Sequence, residues 1–360
     1  MEIIKIETIK KYKRLVASFY QDDPHFINNK DGLIDLICSN GSAFYKYSTQ
    51  EMICVSSNGE VSCICILMRH RNDPDSLMMA FFECKKDSFQ EVSFMVDYAV
   101  EYGKKLGCSK LIAGLDGHAN NSVGFLSSGE GTPSFGQSYN PIFYNDIFRK
   151  LGFSEVKLLS FMEDIPKLDL RLFSFSKRML PAYVTISSSD FSASGFRETM
   201  RLYTDFNNKI FVNHRYCFPR EYDEDYELFA SLRLLLNGDN MIFAKAKGEV
   251  IGFLFWYPDF NELVPAGAAA GIGTFIRHKI LKQTPKAVKA VQIGVAPEYE
   301  NSGLILALFN EFHRFATKKH KNITICKSSW ILEENQKSVK LSSKILPQPY
   351  KEMSAYEKEI

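Results

Sequence analysis

A chain of 360 residues, 45% hydrophobic and 24% charged, has the composition of an ordinary globular protein and the length of two domains. A formal net charge of +2 leaves no electrostatic case for nucleic acid as a partner of the whole chain. The longest weakly polar run, Leu263 to Ile276, is too short to span a bilayer, so no membrane is expected either. The eight cysteines form no Cys-x-x-Cys pair, and the Cys63-x-Cys65 spacing suits one face of a strand better than a metal site; they read as free cytosolic thiols, with no metal expected. The N-terminus MEIIKIETIKKYKRL lacks the apolar core and cleavage site of a signal peptide, so the expected location is cytoplasmic. A high aromatic content, 29 Phe and 17 Tyr, favours well-filled cores and an apolar cleft.

In chain order, Glu2 to Ile6 alternates like a strand, and Lys10 to Tyr20 has the apolar spacing of a helix that Asp23-Pro24 stops. Ala43–Ser48, Met52–Ser56 and Val61–Met68 alternate or run apolar, with Asn58-Gly59 a hairpin turn. Leu77 to Cys84 is an apolar strand, Ser93 to Leu106 a helix capped by Gly107, and Cys108 to Gly114 a short buried strand. Leu115 to Pro141, rich in Gly, Ser, Asn and Pro, reads as a long loop, and the stretch around His118 to Tyr144 as one able to gate a cleft. Tyr144–Leu151 is helical and Val156–Met162 a strand. From Val184 the same order returns: helix Ser194–Asn207 with Ser194 as its N-cap, helix Tyr222–Asn237, and hairpin strands Met241–Lys245 and Val250–Tyr257. Strand Val291–Val295, a polar turn, the helix carrying Leu304, Leu308, Phe312 and Phe315 on one face, strand Ile323–Cys326, a loop and a tail complete it.

The segment Val291 to Ala316 is the one that suggests chemistry. A strand, a polar turn with Gly303 and then a helix is a device for holding an anion, because first-turn N–H groups lack helical partners and glycine permits close approach. An ordinary strand–turn–helix of an α/β domain is the competing reading. The stretch resembles motif A of the GNAT acyltransferases, although of the Gln/Arg-x-x-Gly-x-Gly/Ala pattern only the central glycine matches Glu300-Asn301-Ser302-Gly303-Leu304-Ile305. Over the whole length the chain is similar to bacterial proteins with two such domains in tandem. The residues that carry this similarity are Asp23-Pro24, Phe81-Phe82-Glu83, Tyr139-Asn140-Pro141, Gly152-Phe153, Pro258-Asp259-Phe260-Asn261, Pro297-Glu298-Tyr299 and Ser329-Trp330-Ile331-Leu332-Glu333-Glu334-Asn335. The resemblance implies an α/β (α+β) fold of two tandem GNAT-like domains, each a mixed twisted sheet flanked by helices. Residues 1–168 would form a non-catalytic domain and residues 182–360 the domain with the acyl-CoA loop.

The resemblance further implies an acyl-CoA-dependent N-acyltransferase, with acetyl-CoA or another acyl-CoA as co-substrate and the amine of a small molecule or peptide as acceptor. The pantetheine arm would lie along Ile293 and Val295, and the diphosphate against Glu300, Asn301, Ser302, Gly303 and Leu304. Glu300 would have to point away from it. Asn335, Tyr350 and Tyr356 occupy places where the family puts polar groups near the thiol, and Glu333 is a candidate base. The bland readings are that Asn335 caps a helix, the tyrosines pack and Glu333 complements a helix dipole. The first domain has no glycine in Cys84-Lys85-Lys86-Asp87-Ser88, so it is expected to bind no CoA. Two other functions stay open: a non-catalytic GNAT-like binding module, and a Fem-type transferase taking aminoacyl groups from tRNA. A homodimer also stays open.

Overall fold

The computed structural model describes residues 1–319 and 322–360. The basic run Lys318-Lys319-His320-Lys321, read in the sequence as a solvated helix end, falls partly outside the described residues.

The N-terminal half begins with β1 (Glu2–Lys5), α1 (Ile9–Ser18), α2 (Lys30–Cys38), the single turn α3 (Ala43–Lys46), and the strands β2 (Ser48–Ser57), β3 (Glu60–His70) and β4 (Asp73–Cys84). It continues with α4 (Phe89–Leu106), β5 (Lys110–Ala113), β6 (Phe125–Ser128), α5 (Phe143–Lys150) and β7 (Ser154–Asp164). The helix α6 (Leu170–Met179) links it to the C-terminal half. There β8 (Val184–Ser188), α7 (Phe196–Phe211), α8 (Tyr222–Leu232), β9 (Met241–Ala246), β10 (Glu249–Pro258) and the short α9 (Ile272–Phe275) precede β11 (Ala287–Val295). α10 (Leu304–Lys319), β12 (Ile325–Ser328), β13 (Ile331–Leu332), α11 (Gln336–Ile345) and β14 (Gln348–Glu359) close the chain.

Local chemistry accounts for the boundaries. Asn58 and Gly59 both take positive φ, 53° and 80°, as the two central residues of a tight hairpin require. Thr8 accepts the Lys11 N–H at the start of α1, and Gly107 (φ 79°) ends α4 in the left-handed conformation. Glu221 and Glu224 form a reciprocal capping box on α8. Ser194, expected as the α7 cap, lies one residue outside it; the cap position is Gly195. Ala43–Lys46, which alternates like a strand, is a helical turn because Ser42 caps it by accepting the Tyr45 N–H.

A single sheet runs β1-β2-β3-β4-β5-β14-β7-β12-β11-β10-β9-β8, with β6 added against β14 and β13 against β7. The final strand of the chain therefore lies in the N-terminal half, between β5 and β7, and β7 passes the sheet on to β12. The sequence left this tail unassigned. Helices cover both faces, and the buried residues form four apolar clusters, two in each half. The Leu115–Pro141 segment is not a free gate. It contains β6, and its tip is pinned to the C-terminal half: the Phe135 N–H donates to Asp259 (2.8 Å), Tyr257 OH to the Phe135 carbonyl (3.1 Å) and the Asn261 amide to the Pro133 carbonyl (2.8 Å).

Each half contains a pair of parallel strands that part company. β4 and β5 pair from Ser76–Lys110 to Met79–Ala113, and β11 and β12 from Ala287–Ile325 to Ala290–Ser328. In both, the register with the preceding strand slips just past the last paired residue: between Ile64 and Ile66 opposite β4, and between Phe255 and Trp256 opposite β11, where Val291 is the extra residue.

Candidate active site

The two partings differ in what fills them. In the N-terminal half the freed backbone is taken by the protein's own side chains. Tyr12 OH donates to the Phe81 carbonyl (2.7 Å), the Phe81 N–H donates to Asp116 (2.6 Å) and the Cys84 N–H to Tyr144 OH (2.8 Å). Glu83 is buried behind them, held by Lys30 (2.8 Å), Tyr20 (2.5 Å) and Tyr144 (2.9 Å). Burial pushes its carboxyl upward against the pull of Lys30. The Phe81 N–H, the Phe81 carbonyl and the Cys84 N–H are therefore not available to a ligand's amide groups.

In the C-terminal half the edge is open. The Ser329 N–H makes the last bond to β11, at the Ala290 carbonyl (2.8 Å), and the chain then turns away to pair as β13 with β7. The edge from Val291 to Ile293 faces a cavity of about 520 Å³ between the halves, with Ser329, Trp330 and Ile331 on the opposite wall. Tyr203, Gln292 and Asn120 form a polar cluster there: Tyr203 OH donates to the side-chain Oε1 of Gln292 (2.7 Å), and the Gln292 side-chain amide N–H donates to Asn120 Oδ1 (3.4 Å). Burial holds the Tyr203 phenol well above its usual range, so it stays a donor. His214 also lines the cavity, edge-on to Phe211 with ring centres 5.0 Å apart; burial lowers its pKa, so it is a neutral imidazole at pH 7. Burial pushes the Cys217 thiol, on the same wall, up to about 12, which leaves it unreactive.

Each residue singled out in the sequence has a definite place. Ile293 lines the cavity and Val295 continues the same strand, antiparallel to Gly252. Asn335 lines the cavity and also caps α11, accepting the Ser338 N–H (3.2 Å). Glu300 to Gly303 lie beside the cavity rather than in its lining. The Glu300 carboxylate pairs with Lys337 of α11 (3.0 Å), and Asn301 and Ser302 are exposed. The Ser302 hydroxyl donates to the Tyr299 carbonyl (2.7 Å) and accepts the Leu304 N–H (3.3 Å), while the Leu304 side chain is wholly buried. Gly303 has φ 80°, a left-handed conformation that favours glycine whatever binds in front of it, and a Cβ there would make ordinary contact with Ser176 of α6 at 3.4 Å.

Three residues call for correction. Tyr356 is fully buried in the N-terminal half, bonded to Asn145 (3.0 Å) and packed on Phe148, because β14 crosses into that sheet. Tyr350 sits behind the cavity floor, bonded to Ser134 (3.2 Å) and flanked by Lys327 and Lys351. Glu333 is exposed and lies outside the cavity lining. Sequence reading missed Tyr203, Gln292, Asn120 and His214. One further signal was available: Lys289, a cation in the apolar run Ala287-Val288-Lys289-Ala290-Val291, is buried and lines the cavity. Among the described residues no group of His, Cys, Asp or Glu is arranged to hold a metal, all eight cysteines are free thiols, and no helix is long and apolar enough to cross a membrane.

Two strand–turn–helix units, each with parted parallel strands behind it, define a tandem GNAT-like fold, and the comparison with solved structures shows the same. A tandem GNAT protein from the clavulanic acid biosynthesis pathway, solved without acetyl-CoA, superposes with a TM-score of 0.55 at 11% identity, over 99% of this chain and 98% of that one. A GCN5-related glucosamine N-acetyltransferase region of a fungal multi-domain GH3 β-N-acetylglucosaminidase gives 0.61 at 11% identity over 99% of this chain, which spans 38% of that larger one. A GCN5-related N-acetyltransferase from Sphaerobacter thermophilus gives 0.50 at 10% identity, over 99% and 95% of the two chains. No protein-family model and no curated protein sequence matches. At these identities the likeness is one of fold.

Proposed function

We propose that the protein is an acyl-CoA-dependent N-acyltransferase that works in the cavity between its halves. The C-terminal unit, from about residue 182, holds the co-substrate, and the N-terminal unit, to about residue 168, supplies the opposite wall and receives β14. One observation carries this reading. The strand edge at Val291–Ile293 is open to a cavity, whereas the equivalent edge at Phe81–Cys84 is closed by Tyr12, Asp116 and Tyr144.

The residues present fit an acyl-CoA. The open edge offers backbone groups to the pantetheine amides, and the turn before α10 offers its first-turn N–H groups to the diphosphate once the Ser302 hydroxyl releases the Leu304 N–H. The pairing of Glu300 with Lys337 offsets the charge that would otherwise oppose an anion there. When bound, the thioester supplies an activated carbonyl for an amine. In this reading His214, neutral at pH 7, accepts the proton of the acceptor ammonium. Tyr203 and Asn120 fix the Gln292 amide beside the Val291 bulge, where it orients the reacting groups. The cavity size suits a small-molecule amine or the end of a peptide.

Titration of acetyl-CoA into the purified protein by calorimetry tests this, with one site per chain expected. Glu300→Arg should tighten binding, most visibly at low salt, by adding a cation beside Lys337. Gly303→Glu should weaken it about ten- to a thousandfold through lost charge-assisted hydrogen bonds, and at φ 80° it should also lower the melting temperature. Absence of heat with the wild type and with Glu300→Arg would favour a binding module with a vestigial loop.

A further inference from the structure

Behind the cavity floor lie three lysines on neighbouring strands. Lys289 of β11 and Lys327 of β12 are register partners, so both side chains leave the same face of the sheet, and Lys351 comes from β14 on the far side of β7. Lys289 and Lys351 are buried. Three ammonium groups here face one carboxylate, Asp259. Lys327 takes it, at 2.9 Å, and also reaches the Ser134 hydroxyl at 3.2 Å. Among the described residues the other two are held by neutral groups: the Phe135 carbonyl at 3.3 Å from Lys289, the Gly131 and Thr132 carbonyls at 3.3 and 3.2 Å from Lys351, and the Tyr350 ring, whose centre is 5.4 Å from the Lys351 ammonium. Burial lowers both ammonium groups to about 8, with Lys327 as a like-charged neighbour of each and Lys351 as a second one for Lys289, so at neutral pH they remain mainly charged. Buried cations in excess of their anions are unfavourable unless something else supplies negative charge. Lys289 is the member of the group that lines the cavity, beside Gln137 and Ser328.

We propose that the cavity floor is an oxyanion site, in which Lys289, backed by Lys327 and Lys351, receives a carboxylate or phosphate group of a small-molecule ligand. Lys289 makes the direct ion pair, and the two lysines behind it raise the local potential in a region of low dielectric. On the acyltransferase reading this group belongs to the acceptor, which is then an amine that also carries an acid group. The site itself does not depend on that reading, since it is built from β11, β12, β14 and the 131–137 loop rather than from the turn before α10. A protein that binds no acetyl-CoA can still have it.

The test is thermal unfolding of the full chain at pH 7.0 with sodium acetate or sodium phosphate, against sodium chloride at equal ionic strength. Acetate, phosphate or both should raise the melting temperature by several degrees in a saturable way, and which one does so identifies the group. Lys289→Met should abolish the excess over chloride, while Lys289→Arg and the surface control Lys105→Met, on the exposed face of α4, should keep it. A second measurement needs no variant. Around Lys289 stand Asp259, Lys327, Lys351, Tyr257 and Tyr350, and of these groups Lys289 and Lys351 are the ones lowered to about 8. The effect of the oxyanion that stabilises the protein should therefore shrink between pH 7 and pH 9 as they lose their charge. Equal shifts in chloride and both oxyanions, an undiminished shift in Lys289→Met, or an effect of that oxyanion constant from pH 7 to 9 would each overturn the proposal.

Discussion

Replacing Asp225 by alanine should destabilise the protein by about 3–5 kcal/mol, the largest single effect on folding expected from any residue near the site. Its carboxylate is fully buried against the equally inaccessible Arg220 (2.7 Å) and accepts the Thr204 hydroxyl (2.8 Å). Arg220 in turn reaches Asn121 of the N-terminal half (3.3 Å), so the pair sits where the halves meet. Removing the carboxylate leaves a guanidinium in the interior with no full counter-charge, because nearby Glu224 is already engaged by His70 (3.2 Å). Replacing both partners, as in Arg220→Met with Asp225→Leu, removes the buried charge altogether and should come much closer to the wild type. Urea unfolding midpoints of the two single variants and the double variant measure this. Equal losses in the double variant and in Asp225→Ala would show that the cost lies in packing rather than in the orphaned charge.

His214→Gln should lower the turnover number by about two to four orders of magnitude while leaving acetyl-CoA affinity unchanged. Glutamine keeps the polarity of the position but cannot take up a proton. In the wild type, the rate should be level around pH 7 to 8. It should fall on acidification below the usual imidazole range, since burial lowers the histidine pKa and protonation removes the base. In His214→Gln that acid limb should disappear. Thiol release from acetyl-CoA in the presence of a panel of primary amines, with and without an acid group, provides the readout. A variant that retains both full turnover and the acid limb would remove His214 from the chemistry.

The parts of this architecture with local causes were legible in the sequence. Asn58-Gly59, Gly107, the β11–turn–α10 unit and the inward face of Leu304, Leu308 and Phe312 depend on neighbouring residues only. Asn335 was legible as a helix cap, and it is one. What failed depended on distant pairing. β14 carries Lys351, Glu352, Glu357 and Lys358, so it reads as a polar tail, yet it fills the gap between β5 and β7 because Met353, Ala355 and Tyr356 pack into the N-terminal core. That crossing is why Tyr356 lies far from where its position in the chain suggested. The helix α6 escaped notice because it lies in the basic stretch between the two halves and leaves Leu170, Leu172, Phe175 and Met179 exposed. It forms by packing on α10, where Lys177 pairs with Glu311 and Phe173 meets Phe309. The cavity residues come from α7, β11, the loop before β6 and the segment after α7, and no short motif could have gathered them.

The central claim is that only one of the two parted strand pairs takes a ligand. Hydrogen exchange of the full chain with and without saturating acetyl-CoA tests it directly, because both edges are read in one experiment. Protection is expected for residues 291–295 and for the first turn of α10, with residues 80–88 unchanged, since their N–H groups at Phe81 and Cys84 are already bonded to Asp116 and Tyr144. Protection appearing at 80–88, or none at 291–295 when the ligand is demonstrably bound, would contradict the account.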